Sequence, residues 1–126
     1  MVAGYGGESV GCAAGLATLD LYKEEKLIER ARAIEPKFAD AAMSLKGKPG
    51  ILDIRTVGLT AAFDLVSKPD GFGKTAYAAM EKGFHEEGIL LRIAGDTLIV
   101  TPPLIISEDQ IGEVFEKTGK MIAAVV

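Results

Sequence analysis

The chain has 126 residues, a formal net charge of -4, 48% hydrophobic residues and one cysteine. This length fits one domain, and the apolar content is too high for a disordered chain. One cysteine and one histidine exclude an intrachain disulfide and a zinc site built from soft ligands. The acidic balance argues against a nucleic-acid partner, and no apolar run reaches the roughly 20 residues that span a membrane. With no targeting peptide at the N-terminus, we expect a cytoplasmic protein without a metal.

The first third of the chain predicts helices after a glycine-rich loop at residues 1–7. Ser9 is a good N-cap residue, and Val10–Ala33 is rich in strong helix formers. Pro36 lacks a backbone donor, after which the helical spacing resumes until Gly47. We therefore expect a kinked or two-part helix that is interrupted at Pro36.

The middle of the chain changes to the period of β-strands. Apolar and polar residues alternate over 52–55 and again over 61–66, and Gly58 marks the turn between these two strands. A turn at 68–73 opens a third helix, which ends between Gly83 and Gly88.

The last third predicts a hairpin and a helix. Ile89–Ile93 and Thr97–Thr101 are two strands with a short turn between them, and Ser107 with Gln110 fits a capping box. The order is thus α-α-β-β-α-β-β-α. It predicts a single α+β domain over 1–126, with two layers and helices on one face of a mainly antiparallel four-stranded sheet.

Several short motifs suggest chemistry but have simpler explanations. Asp70–Thr75 resembles part of a phosphate loop, yet Lys68 stands where the loop needs a glycine, which favours a turn that opens a helix. Amides of the N-terminal glycine loop could hold a phosphate. For Cys12 we expect packing in the core rather than nucleophilic chemistry, and for His85 a surface position.

Two arginines lie in or beside predicted strands, where a guanidinium can hold a carboxylate through two parallel hydrogen bonds. On local sequence alone, Arg92 and Arg55 are better explained by pairing with an acid or by reaching water. No lysine has an obvious desolvated pocket that would lower its pKa for Schiff-base chemistry. We therefore assign no catalytic residue from the motifs.

Six segments, in this order, resemble successive blocks of the C-terminal small domain of class III, pyridoxal-phosphate-dependent aminotransferases. They are Cys12–Tyr22, Leu27–Ala31, Asp53–Leu59, Gly88–Arg92, Gly95–Thr97 and Thr101–Ile106. The arginine before Gly-Asp-Thr, followed by Pro-Pro-Leu-Ile, is most similar to the branch that transfers amino groups from β-alanine or other ω-amino acids to pyruvate.

The resemblance implies a larger enzyme in which a separate large domain supplies the Schiff-base lysine and the small domain closes over the substrate. Arg92 matches the family arginine that binds the substrate carboxylate. Gly4 and Tyr5 match the loop that reaches the cofactor phosphate of the neighbouring subunit, but Gly4 replaces the family threonine and Glu8 adds an anionic side chain. We expect no pyridoxal phosphate to bind this chain alone.

The resemblance therefore predicts a fragment or stand-alone remnant of an aminotransferase that lacks the large cofactor-binding domain. Its partners would be that domain and a small carboxylate substrate. One alternative is a non-enzymatic binding or oligomerisation module, because loss of the large domain would expose apolar surface for a homo-oligomer. Another is a carboxylate-binding protein that uses Arg92.

Overall fold

The structure is a computed structural model that describes residues 7–126. Its helices are α1 (Ser9–Glu24), α2 (Leu27–Met43), α3 (Lys74–Lys82) and α4 (Glu108–Ala123). Its strands are β1 (Ile51–Val57), β2 (Thr60–Leu65), β3 (Arg92–Ala94) and β4 (Thr97–Val100). The order along the chain confirms the predicted α-α-β-β-α-β-β-α arrangement. The capping box at the start of α4 is also confirmed, since Ser107 and Gln110 satisfy each other's backbone N–H groups.

The four strands form one antiparallel sheet in the order β1-β2-β4-β3. Across the sheet, Ile54 is paired with Phe63, Phe63 with Leu98 and Leu98 with Ile93. Three of these four side chains are buried and Ile93 is half-buried. This row identifies the covered face of the sheet, on which the helices pack.

Aromatic side chains join the helices to the covered face. Phe38 of α2 meets Phe115 of α4 edge to face, with ring centroids 4.9 Å apart, and Phe63 of β2 lies 6.1 Å from Phe115. All three are almost fully buried. The contacts fix α2 and α4 against the sheet and form the centre of the hydrophobic core.

The residues on the opposite side of the sheet, the open face, alternate with the core positions and are mostly polar or charged. These residues are exposed or half-buried: Asp53, Arg55, Ala62, Asp64, Arg92, Thr97 and Ile99. The chain therefore has one apolar layer under its helices and one accessible sheet surface that carries both strand arginines.

The predicted helix break is present but lies at another residue. The break lies between α1 and α2 at Lys26, which has a left-handed φ of 50°. Helix α2 begins at Leu27 and runs through Pro36 without interruption. The prediction of a break at Pro36 was wrong. Ile34, Phe38 and Ala42 form one buried stripe across the proline, and this packing keeps the helix intact despite the missing donor.

Helix α1 has no buried residue, which corrects the expectation that Cys12 lies in the core. Val10 is 75% and Leu16 is 65% exposed, and Leu19 is also exposed. The helix formers of the sequence are present, but nothing in residues 7–126 covers the helix. No helix in this described range is both long and apolar enough to cross a membrane.

Candidate functional site

The candidate site lies where the hairpin of β3 and β4 opens. Strand pairing ends at Arg92 and Ile99, so β3 is shorter than the predicted strand Ile89–Ile93. The preceding helix ends in a π-helical turn at Gly83–Glu87, and Gly88 leaves it with a left-handed φ of 66°. The chain thus reaches Arg92 through a short irregular segment, 89–91, that does not pair with β4.

An open cavity of about 470 Å³ occupies the space beyond the last strand pair. Its walls come from the segment before β3, the segment after β4 and one side of α4, and they include Ile99, Ile105 and Val114. Arg92 is part of the wall, together with Glu113 and Lys117 of α4. Apolar walls with a few charged groups are typical of sites that bind small organic ligands.

Arg92 is exposed, and none of the ion pairs formed within residues 7–126 includes it. By contrast, Glu113 and Lys117 pair with each other, with 2.7 Å between Nζ and Oε1. In the described part of the chain, Arg92 therefore does not pair with an acid, and its exposure agrees with the other half of that expectation, contact with water. The geometry leaves a guanidinium fork at the edge of the cavity, where it can donate two parallel hydrogen bonds to a carboxylate.

Asp96 holds the hairpin in place, a role that the sequence did not suggest. Its Oδ1 accepts the backbone N–H groups of Thr75 and Ala76 at 3.1 and 3.2 Å, and its Oδ2 accepts the hydroxyl of Ser67 at 2.6 Å. Asp96 is only 5% exposed. Burial alone would raise the pKa of Asp96, but these hydrogen bonds outweigh it and the pKa is lowered. The turn before β4 is thereby tied to the start of α3.

Arg55 is paired with acids, as its local sequence predicted. Its guanidinium binds both carboxylate oxygens of Asp64 and also contacts Asp53, with 3.1 Å between Nη1 and Oδ2. Thr97 donates its hydroxyl to the same Asp64 carboxylate at 2.7 Å. The hydrogen bonds from Arg55 and Thr97 lower the pKa of Asp64, so this carboxylate is ionised at neutral pH.

Arg30 supports one wall of the cavity. From α2 its guanidinium donates to the backbone carbonyls of Leu104 and Ile106. Ile106 lines the cavity, and these two bonds hold the segment between β4 and α4 in a fixed position. The sequence gave no signal for this role, because the carbonyls are more than 70 residues away along the chain.

The other motifs have structural roles. Lys74 and Asp70 form an exposed pair at 3.3 Å at the start of α3, which fits a turn rather than a phosphate loop. His85 is exposed beside Phe84, as predicted. Gly4 and Tyr5 lie outside the described residues. Within 7–126, no three histidine, cysteine, aspartate or glutamate side chains come close enough together to hold a metal ion.

Comparison with known proteins identifies relatives over nearly the whole chain. Residues 2–122 match the family model for class-III aminotransferases. The chain is 36% identical, over 121 residues, to an omega-aminotransferase of Caulobacter vibrioides, covering 96% of this chain and 27% of that protein. It is 32% identical to a probable mitochondrial gamma-aminobutyrate transaminase 3 of Oryza sativa subsp. indica, covering 95% of this chain and 24% of that protein.

Solved structures agree with the sequence comparison. An adenosylmethionine-8-amino-7-oxononanoate aminotransferase from Methanocaldococcus jannaschii superposes with a TM-score of 0.85 at 28% identity, over 99% of this chain and 30% of that one. A thermostable omega transaminase mutant from Pseudomonas jessenii gives 0.85 at 25% identity, over 93% and 27%. The chain spans about a quarter of the length of the curated relatives it matches.

Proposed function

Because the chain belongs to the class III aminotransferase family, we propose that it forms the part of such an enzyme that closes over the substrate and holds its carboxylate with Arg92. The proposed reaction of the whole enzyme is pyridoxal-phosphate-dependent transfer of an amino group from an ω-amino acid, of the β-alanine type, to pyruvate. The observation that carries the proposal is the position of Arg92, an exposed guanidinium at the edge of an apolar-walled cavity with no acid paired to it in residues 7–126.

Arg92 suits a carboxylate for two physical reasons. The planar guanidinium offers parallel N–H groups that match the two oxygens of a carboxylate, and it keeps its charge at every physiological pH. Apolar neighbours such as Ile99 and Ile105 displace part of the water beside a bound ligand, which strengthens the attraction between opposite charges. The role proposed for the residue is to bind and orient the substrate, without taking part in proton transfer.

The residues described here do not fit pyridoxal phosphate by themselves. The cofactor needs a lysine in a desolvated site, and each of the ten lysines is exposed or half-buried. Five of them are held in surface ion pairs with acids: Lys37, Lys74, Lys82, Lys117 and Lys120. We therefore propose that a large domain outside these 126 residues supplies the lysine, and we assign no chemical step to this chain.

Calorimetric titration with pyruvate and with β-alanine tests the role of Arg92. We expect binding heat from the unmodified chain, and at least about a tenfold loss of affinity in Arg92→Ala, because two charge-assisted hydrogen bonds disappear. Arg32→Ala is the matched control, since Arg32 is an exposed arginine of α2 that is remote in sequence from the cavity walls. Equal affinities for the unmodified chain and Arg92→Ala, or no heat from either, would refute the proposal.

The exposure of α1 favours a second candidate function, self-association of the chain through this helix. A helix that carries apolar residues without any buried side is normally covered by another element. Gly15 has no neighbouring atom where a side chain would stand, so a second copy of α1 can approach its backbone closely. The covering partner in this candidate is another copy of the same chain.

Light scattering over a dilution series separates the two candidates. Self-association through α1 predicts a mass above that of one chain which falls on dilution. Leu16→Glu, at an exposed position of α1, should then shift the equilibrium to monomer, because it places a charge in the interface. Glu24→Lys, also an exposed residue of α1, is the control for a change of charge alone. A monomer at every concentration would exclude this candidate and leave the first untouched.

A further inference from the structure

Both strand arginines lie in one row across the open face. Arg55 is paired with Ala62, Ala62 with Ile99, and Ile99 with Arg92. Neighbouring strands are about 4.8 Å apart, so the backbones of Arg55 and Arg92 are separated by about 14 Å. The two residues between them are small or apolar and carry no charge. The same accessible surface therefore presents two guanidinium groups that could attract carboxylates.

The surroundings of the two arginines are different. Nη2 of Arg55 lies 2.9 Å from Oδ1 of Asp64, Nη1 binds the other oxygen of that carboxylate, and Nη1 also lies 3.1 Å from Asp53. The hydroxyl of Thr97 holds Asp64 from the next strand. Two aspartates thus contact the guanidinium of Arg55, whereas no acid of residues 7–126 pairs with Arg92.

We infer that Asp64, assisted by Asp53, determines which arginine of the open face binds a substrate carboxylate. Arg55 does not line the cavity, and Asp64 occupies its guanidinium fork and offsets its charge. Arg92 is then the strand arginine of the open face that is left to bind a carboxylate. Asp64 is a specificity-determining residue that never touches the substrate. This inference rests on the proposed function for the role of Arg92, but the effect of Asp64 on Arg55 can be measured independently.

The inference predicts a gain of binding when the two acids are neutralised. In Asp53→Asn with Asp64→Asn, the amide oxygens still accept hydrogen bonds, including the one from Thr97, but the negative charges are gone. The positive charge of Arg55 is then no longer offset by its neighbours, and a carboxylate ligand in solution can bind its guanidinium. We expect the affinity of Arg55 for a simple carboxylate to rise by about tenfold or more.

Arginine side-chain resonances measure the two sites separately. Nitrogen-15 spectra of the Nε–Hε groups would be recorded while propionate is added at constant ionic strength, with chloride replaced by the ligand. In the unmodified chain the Arg92 signal should move and the Arg55 signal should stay. In the doubly substituted chain both signals should move, and adding Arg55→Ala should remove the second site alone.

The outcomes separate this inference from the proposed function. If Arg55 fails to respond in the doubly substituted chain, or already responds in the unmodified chain as strongly as Arg92, the inference is wrong. If Arg92 is silent in both proteins while Arg55 gains a response, the proposed function fails and the effect of Asp64 stands. If the double substitution unfolds the chain, the single variant Asp64→Asn is measured instead. We expect a smaller gain of carboxylate binding at Arg55 in that variant, and no gain would contradict the inference.

Discussion

Replacing Asp96 by alanine is expected to lower the free energy of unfolding by about 3 kcal/mol. The substitution leaves the N–H groups of Thr75 and Ala76 and the hydroxyl of Ser67 without their acceptor. The two backbone N–H groups are buried, and buried donors without a partner cost more than the bond itself contributes, because they have also lost their hydration. Ser67 is exposed, so its hydroxyl can bind water instead. The start of α3 and the β3–β4 turn should both loosen. Urea unfolding at neutral pH, followed by circular dichroism, measures the loss.

The pH dependence of stability gives a second readout for Asp96. Its pKa in the folded chain is lowered below the value of about 3.9 that an unfolded aspartate has. Its contribution is therefore complete above about pH 5 and is lost as the pH falls through the folded-state pKa. Asp96→Asn keeps an oxygen for the two backbone donors, so it should cost less than alanine and should remove this part of the acid sensitivity.

Asp20→Ala is the control for Asp96, because Asp20 is an exposed aspartate on α1. Its unfolding free energy should stay within about 0.5 kcal/mol of the unmodified chain, as is usual for surface substitutions. If Asp96→Ala were equally mild, the assigned role of Asp96 between the hairpin and α3 would be wrong.

Local patterns were sufficient for most of the fold. The capping box at Ser107 and Gln110 places the start of α4 through bonds between residues three positions apart, and such bonds can be recognised in sequence. The alternation around Phe63 likewise places β2, because one face of that strand must meet the core. These elements could be predicted since the forces that create them act between near neighbours.

Other features depended on partners far away in the chain. The residues around Lys26 are good helix formers, so the sequence does not predict the helix end found there. Pro36 does predict a break, but the packing of Phe38 and Ala42 keeps the helix continuous through it. The exposure of Cys12 follows from the lack of any described element over α1, which composition does not show. Tertiary contacts decided both results.

The candidate site was predictable only in part. Arg92 could be identified because the residues around it resemble a family segment, and its local sequence alone favoured an ordinary ion pair or contact with water. Asp64 and Asp96 act through residues on other strands, on α3 or in the loop after β2, between 9 and 33 positions away. Without the register of the sheet, each looked like an ordinary acid beside a turn or on a strand.

Removing the guanidinium of Arg30 is expected to destabilise the chain by about 2–3 kcal/mol. Arg30→Ala deletes the two charge-assisted bonds to the carbonyls of Leu104 and Ile106 and leaves both acceptors without a protein partner. Both bonds are partly buried, so water replaces the lost donors only incompletely. We expect the largest backbone resonance changes at residues 102–106, at the wall of the cavity that Arg92 also lines.

Arg32 provides a control on the same helix, since it is exposed whereas Arg30 is half-buried. Arg32→Ala should change the unfolding free energy by no more than about 0.5 kcal/mol. Arg30→Lys keeps the charge but replaces the planar fork with a single ammonium, so it should restore only part of the loss. Equal unfolding midpoints for Arg30→Ala and Arg32→Ala in urea would show that the two carbonyl contacts do not hold the cavity wall. If instead the alanine variant is destabilised and lysine restores the full midpoint, charge alone is sufficient and the fork geometry plays no part.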